Sequence, residues 1–144
     1  MKRNEYWYPD LGVAEIVFNI DGKEYVGEAN CHPDDEDMKS RNVGFALAEM
    51  RAAYAFGKDK LQNVYKPQLA ILEHIYDCAK SSKKFNPFDN TVRLVRRQIA
   101  QLKKEIATLT CDLEDIKRTE REYIADKEWY YKKIREKRLK DKND

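Results

Sequence analysis

One uninterrupted apolar stripe in the last third of the chain limits the available folds more than any other feature. With Val92 at position a of a heptad, Val95, Ile99, Leu102, Ile106, Leu109, Leu113 and Ile116 fall at successive a and d positions. This alternation of three and four residues is the spacing of a helix that packs along another helix. Past Ile116 the stripe loosens to Glu120, Tyr123, Lys127, Tyr130 and Ile134, and no Gly or Pro interrupts residues 91–138. A helix of that length extends about 70 Å at 1.5 Å per residue. That exceeds the diameter of a small domain, so the stripe predicts a coiled-coil-like contact with a helix of another subunit. The alternative is that the preceding helices, which look too short to cover it, fold back along it. Ile at a with Leu at d favours two strands if the helices are parallel; an antiparallel pair stays open.

The rest of the composition fits this picture. Charged residues make up 38% of the 144 residues, which long solvated helices can carry, and 42% are hydrophobic, enough for a core. The net charge of +2, from 28 basic and 26 acidic residues, argues against a generally basic nucleic-acid-binding module and against an acidic disordered tail. The length predicts a single domain over 1–144, with a β-hairpin region (1–30), a polar loop and two helices (31–84) and the long helix (85–140). Cys31, Cys78 and Cys111 form no C-x-x-C pair, and no apolar run follows the charged start Met-Lys-Arg-Asn-Glu. No run approaches the roughly 20 apolar residues of a membrane span. Reduced thiols, a cytoplasmic location and no membrane partner are the expectations.

Residues 13–29 read as a β-hairpin around Asp21-Gly22, a pair suited to a type I′ turn. That turn sets Ile20 opposite Lys23, Phe18 opposite Tyr25, Ile16 opposite Gly27 and Ala14 opposite Ala29, on one largely apolar face. Tyr6-Trp7-Tyr8-Pro9 either adds a third strand, making a small antiparallel sheet, or forms an arm. The fold class is therefore α+β, with the hairpin packed on helices.

A polar loop over 30–41 holds Asp34, Asp35, Glu36 and Asp37. Their spacing does not match a calcium loop, and Cys31 and His32 lack two further zinc ligands, so no metal site is expected. Capping or solvating the next helix suits the carboxylates better. Residues 42–63 and 65–80 should form two helices, the first rich in alanine and the second with Pro67 in its first turn. Arg51 is a lone guanidinium in an apolar stretch. It suits either a salt bridge, to Glu49 or the acidic loop, or a phosphate or carboxylate ligand.

Phe85-Asn86-Pro87-Phe88-Asp89-Asn90-Thr91 joins the second helix to the third. Pro87 excludes a continuous helix, and Asp89, Asn90 or Thr91 can cap the next one. The phenylalanines serve either as a hydrophobic staple or, with the asparagines, as a wall for a purine base. Arg93 and Arg97 share a face of the long helix one turn apart, where phosphates could meet them.

The sequence also resembles a known family. The run Asp21-Gly22-Lys23-Glu24-Tyr25-Val26-Gly27-Glu28-Ala29, then Cys31-His32-Pro33-Asp34-Asp35-Glu36-Asp37, Gly44 and Ala48-Glu49-Met50-Arg51-Ala52, is followed by Lys84-Phe85-Asn86-Pro87 and an Arg-Gln-Ile helix. In layout this is similar to small phage and prophage proteins of the first family of Thoeris anti-defence proteins. The resemblance implies a phage protein in the host bacterial cytoplasm. It would sequester, as an oligomeric sponge of two or more subunits, cyclic ADP-ribose isomers made by a bacterial TIR-domain enzyme. It implies a binding site of arginines, an aromatic residue and an asparagine. Chosen on their own chemistry, the candidates here are Arg51, Phe85, Asn90, Arg93 and Arg97. The alternative function is inhibition of a bacterial defence protein, such as a CRISPR nuclease, by direct protein contact. An enzyme is not expected: the two histidines lie on unrelated elements, and no nucleophile, metal spacing or cofactor motif is present.

Overall fold

The computed structural model describes residues 1–30 and 41–143, so Cys31, His32 and the carboxylates at 34–37 lie outside the described residues. The protein is α+β. Three strands, β1 (Lys2–Tyr8), β2 (Val13–Ile20) and β3 (Lys23–Asn30), precede α1 (Arg41–Lys60), a π-helical turn (Leu61–Tyr65), α2 (Lys66–Lys80) and α3 (Asn90–Asn143). The chain divides into two compact units, Met1–Ala55 with Asp115–Asp144, and Phe56–Glu114.

In the first unit the strands form an antiparallel sheet in the order β1-β2-β3. Asp21 (φ 52°) and Gly22 (φ 81°) both take the left-handed conformation that the hairpin turn demands. The register follows from it: Ile20 pairs with Lys23, Phe18 with Tyr25, Ile16 with Gly27 and Ala14 with Ala29. The Tyr6-Trp7-Tyr8 segment is the third strand, with Trp7 opposite Ala14. One sheet face and α1 make the core, where Ile16, Phe18, Ala29, Leu47, Ala48 and Ala52 are buried and Tyr123 and Ile124 of α3 pack against them. The helix can sit this close because Gly27 has no side chain. A Cβ there would come within 1.9 Å of the Ala48 carbonyl oxygen.

The second unit is a helical hairpin. Residues 41–80 contain no non-helical residue, whereas the sequence suggested two separate helices. Pro67 explains the π turn: it has no N–H, and its ring crowds the carbonyl four residues back. Widening the turn relieves this, and the Lys66 N–H bonds back five residues to the Leu61 carbonyl. Leu61, Leu102 and Leu113 are buried here. Val92, Val95, Ile99, Ile106 and Leu109 are half-buried, while nearly all the residues between these seam positions are exposed. Within this unit the stripe of α3 is thus covered by the chain's own helices, the arrangement the sequence set second. Gly57 belongs to that contact, since a Cβ on it would lie 2.6 Å from a Leu113 methyl carbon.

Candidate functional site

The connection from α2 to α3 is built from side-chain-to-backbone hydrogen bonds. Asn86 Oδ1 accepts from the Phe88 N–H at 3.0 Å, and Asp89 Oδ1 accepts from the Thr91 N–H at 2.9 Å. Asp89 is therefore the N-cap of α3, with Asn90 its first helical residue. The residue before the cap is Phe88, and the fourth helical residue is Arg93. These are the two positions of a hydrophobic staple. The Arg93 guanidinium carbon sits 5.8 Å from the Phe88 ring centroid, so a cation–π contact stands in for the usual apolar one.

A groove of about 380 Å³ runs beside this connection, between α2 and α3. Glu73, Tyr76, Asp77 and Lys80 line it from α2, and Arg96 and Lys103 from α3. Tyr76 is held edge-on against Phe85, with ring centroids 6.4 Å apart at 77°. Lys80 Nζ stands 5.1 Å from the Tyr76 centroid. Lys103 reaches Glu73 at 3.6 Å. No ion pair or hydrogen bond from another described residue engages the Arg96 side chain. Three cations face two carboxylates beside an aromatic ring, and the balance slightly favours an anion.

Of the sequence candidates, four fall in this hairpin unit. Phe85 supports Tyr76 behind the groove. Asn90 is exposed at the start of α3, and Arg93 and Arg97 are exposed and not among the groove's lining residues. The lining cation on that stretch of helix is Arg96. The heptad register carried the signal for it: Arg96 and Lys103 both occupy position e, next to the seam, whereas Arg93 and Arg97 occupy b and f, facing away. Tyr76 sits on the inward face of α2, where spacing alone reads it as core.

Arg51 lies in the sheet-bearing unit, where two of its donors are committed. Its Nε donates to Glu120 Oε1 at 2.8 Å, and its Nη1 donates to the Glu28 carbonyl at 2.7 Å. This ties α1 to the end of β3 and to α3. It is the salt-bridge role of the two read from sequence, with Glu120 in place of Glu49. Lys117 Nζ lies 3.6 Å from Glu120 Oε2 and 4.2 Å from the Tyr54 ring centroid. Burial pushes the Glu120 carboxyl up, but the Arg51 hydrogen bond and the Lys117 and Arg51 charges outweigh it and hold Glu120 below the usual carboxylate range.

Among the described residues no three His, Cys, Asp or Glu side chains converge as metal ligands. No helix of the described residues is long and apolar enough to cross a membrane. The chain matches no protein-family model, no curated protein and no solved structure.

Proposed function

We propose that the protein is a binding protein that captures a small nucleotide-derived anion in the α2/α3 groove and releases it unchanged. The observation that carries this reading is the Arg96 guanidinium, unengaged by other described residues, in a groove shared with the Tyr76 ring and Lys80. An aromatic edge beside a planar donor fork suits a base and its phosphates, and carboxylates such as Glu73 and Asp77 suit ribose hydroxyls. At about 380 Å³ the space lies within the range of small-molecule sites. The likeness to Thoeris anti-defence proteins supports a cyclic ADP-ribose isomer as the ligand and counter-defence by a phage as the role.

The test is to mix the purified protein with cyclic ADP-ribose isomers, remove free ligand, denature the protein and assay what is released. Intact ligand in stoichiometric amount is expected, and Arg96→Ala should weaken binding at least about tenfold, the equivalent of one charge-assisted hydrogen bond. Arg93→Ala should change affinity less than about twofold, because a cap-associated arginine outside the groove contributes only distant charge. A converted product, or no binding of any isomer, overturns the reading.

A further inference from the structure

Charge is spread unevenly along α3. Its last turns, residues 132–142, read Lys-Lys-Ile-Arg-Glu-Lys-Arg-Leu-Lys-Asp-Lys, seven basic residues against two acidic ones. The rest of the chain holds 21 basic and 24 acidic residues, so the net charge of +2 conceals one cationic segment on an otherwise slightly acidic protein. Every residue of the segment is exposed except Ile134 and Arg138, which are half-buried. Lys133 pairs with Glu136 inside the helix at 3.6 Å. Among the described residues, Lys132, Lys137, Lys140 and Lys142 have no ion-pair or hydrogen-bond partner for their side chains. Cations in the last turn offset the negative end of the helix dipole, which accounts for Lys140 and Lys142. That effect fades within one turn, so it does not account for Lys132, Lys133 and Arg135 further back.

The placement of these cations decides what they suit. At about 100° per residue, Lys133 and Lys137 lie on one side of the helix, Arg135, Arg138 and Lys142 on the opposite side, and Lys132 and Lys140 between them. Ile134 and Leu139 stand about 140° apart, so the segment has no apolar face. A helix that lies on a membrane divides into an apolar and a cationic face, and this one does not. An acidic protein surface would meet one side and leave the other in water. Two walls of phosphate facing each other match cations on both flanks. We propose that the last turns of α3 bind double-stranded DNA by lying in its major groove. That groove is about 12 Å wide and a helix with its side chains is about 10–12 Å across, so the phosphates of both strands come within reach of opposite sides of one helix. The major groove of duplex RNA is too narrow to admit it. The segment has no Asn or Gln to read adenine, and five of its seven cations are lysines, which meet phosphate as point charges. Binding is therefore independent of base sequence.

This surface shares no residue with the α2/α3 groove, and the proposal does not depend on what that groove binds. The test titrates the full chain into a short fluorescein-labelled DNA duplex of scrambled sequence and reads fluorescence anisotropy. Contacts to about four to six phosphates should make the affinity fall about a hundred- to a thousandfold between 50 and 200 mM salt. Lys132→Gln, Lys137→Gln, Lys140→Gln and Lys142→Gln combined should weaken binding at least about a hundredfold at low salt and flatten the slope of log affinity against log salt by about three. These side chains hold nothing in the fold, so circular dichroism and the urea midpoint should not move. Lys58→Gln, Lys66→Gln, Lys83→Gln and Lys84→Gln combined remove the same charge elsewhere and should change affinity less than about fivefold. Equal losses in the two variants, duplex RNA bound as tightly as DNA, or capture by phosphatidylserine vesicles but not by DNA each overturn the proposal. So does the absence of DNA binding at about 50 mM salt.

Discussion

In the sheet-bearing unit Ala14, Ile16, Ala48 and Ala52 are fully removed from water, whereas in the helical hairpin α2 contributes no buried residue at all. The difference is geometric. A sheet offers α1 a broad face, and small residues on both sides bring the backbones close enough to exclude water. A pair of helices offers one seam. Leu61, Leu102 and Leu113 fill it, and any further apolar row must lie on a flank. The first unit is thus closed by its own packing, and the second leaves Val64, Ile71, Ile75 and Leu94 exposed on its flank.

The sharpest test of that contrast places one methyl group in each unit. Gly27→Ala puts a Cβ 1.9 Å from the Ala48 carbonyl oxygen and 2.5 Å from the Ala52 nitrogen, both backbone atoms that cannot step aside. We expect a loss of at least about 3 kcal/mol in urea denaturation, the upper range of overpacking. In Gly57→Ala the new methyl meets the far end of the Leu113 side chain, which can change rotamer. An alanine also gains about 1 kcal/mol of helix propensity over glycine. The net change should stay within about 1 kcal/mol of zero, set by overpacking against that gain. Equal losses at both sites would mean that the hairpin is as tightly closed as the sheet unit.

These two glycines also mark what the sequence could and could not convey. The Asp21-Gly22 turn dictated the β2/β3 register pair by pair, because a two-residue turn leaves no freedom of slippage. The heptad stripe located α3 equally well. What covered that stripe was not legible, since it depends on whether the chain breaks between α1 and α2. Pro67 looked like a helix start, and the π turn lets the helix run through it instead. Gly57 lies within α1 and is a packing contact with Leu113. The groove residues were partly legible: Arg96 and Lys103 share position e beside the seam, but the i, i+4 relation of Arg93 and Arg97 drew attention to the solvent side and Arg96 was missed. Glu120 was hidden because an acid at position a reads as decay of the stripe, and only the fold brings Arg51 to it.

Next in size is the Arg51–Glu120 pair. Arg51→Ala leaves a buried carboxylate with Lys117 at 3.6 Å as its remaining cation. Removing one partner of a fully buried pair costs about 3–5 kcal/mol. The Arg51 side chain keeps 37% of its surface in water, so a loss of about 2 kcal/mol is the expectation. Because the folded-state value of Glu120 is depressed, its contribution is present at neutral pH and is lost as pH falls through that value. The wild-type chain should therefore lose stability on acidification more steeply than Glu120→Gln, as read by midpoints of urea denaturation between pH 7 and 3. Matching slopes would remove Glu120 from the acid response.

The smallest effect has the opposite sign and belongs to the outer face of the same sheet. Glu15 stands directly across from Glu28. Burial pushes its carboxyl up, and a hydrogen bond with Glu28 and the negative charges of Glu28 and Glu24 push it further in that direction. A raised folded-state value means that the stabilising form is the protonated one. Its contribution is complete below the unfolded value and disappears as pH rises through the folded one. At pH 7 the ionised pair is a like-charge cross-strand contact, destabilising by about 0.5 kcal/mol. Glu15→Gln should recover that amount at pH 7 and nothing at pH 3, where the wild-type carboxyl is already neutral. The two carboxylates thus give one unit opposing responses to acid, Glu120 losing stability and Glu15 gaining it. The difference between pH profiles of Glu15→Gln and Glu120→Gln isolates them. If Glu15→Gln destabilises the sheet at pH 7, the Glu15–Glu28 pair is held by a shared proton or a bound cation, and the sheet's outer face is not a site of repulsion.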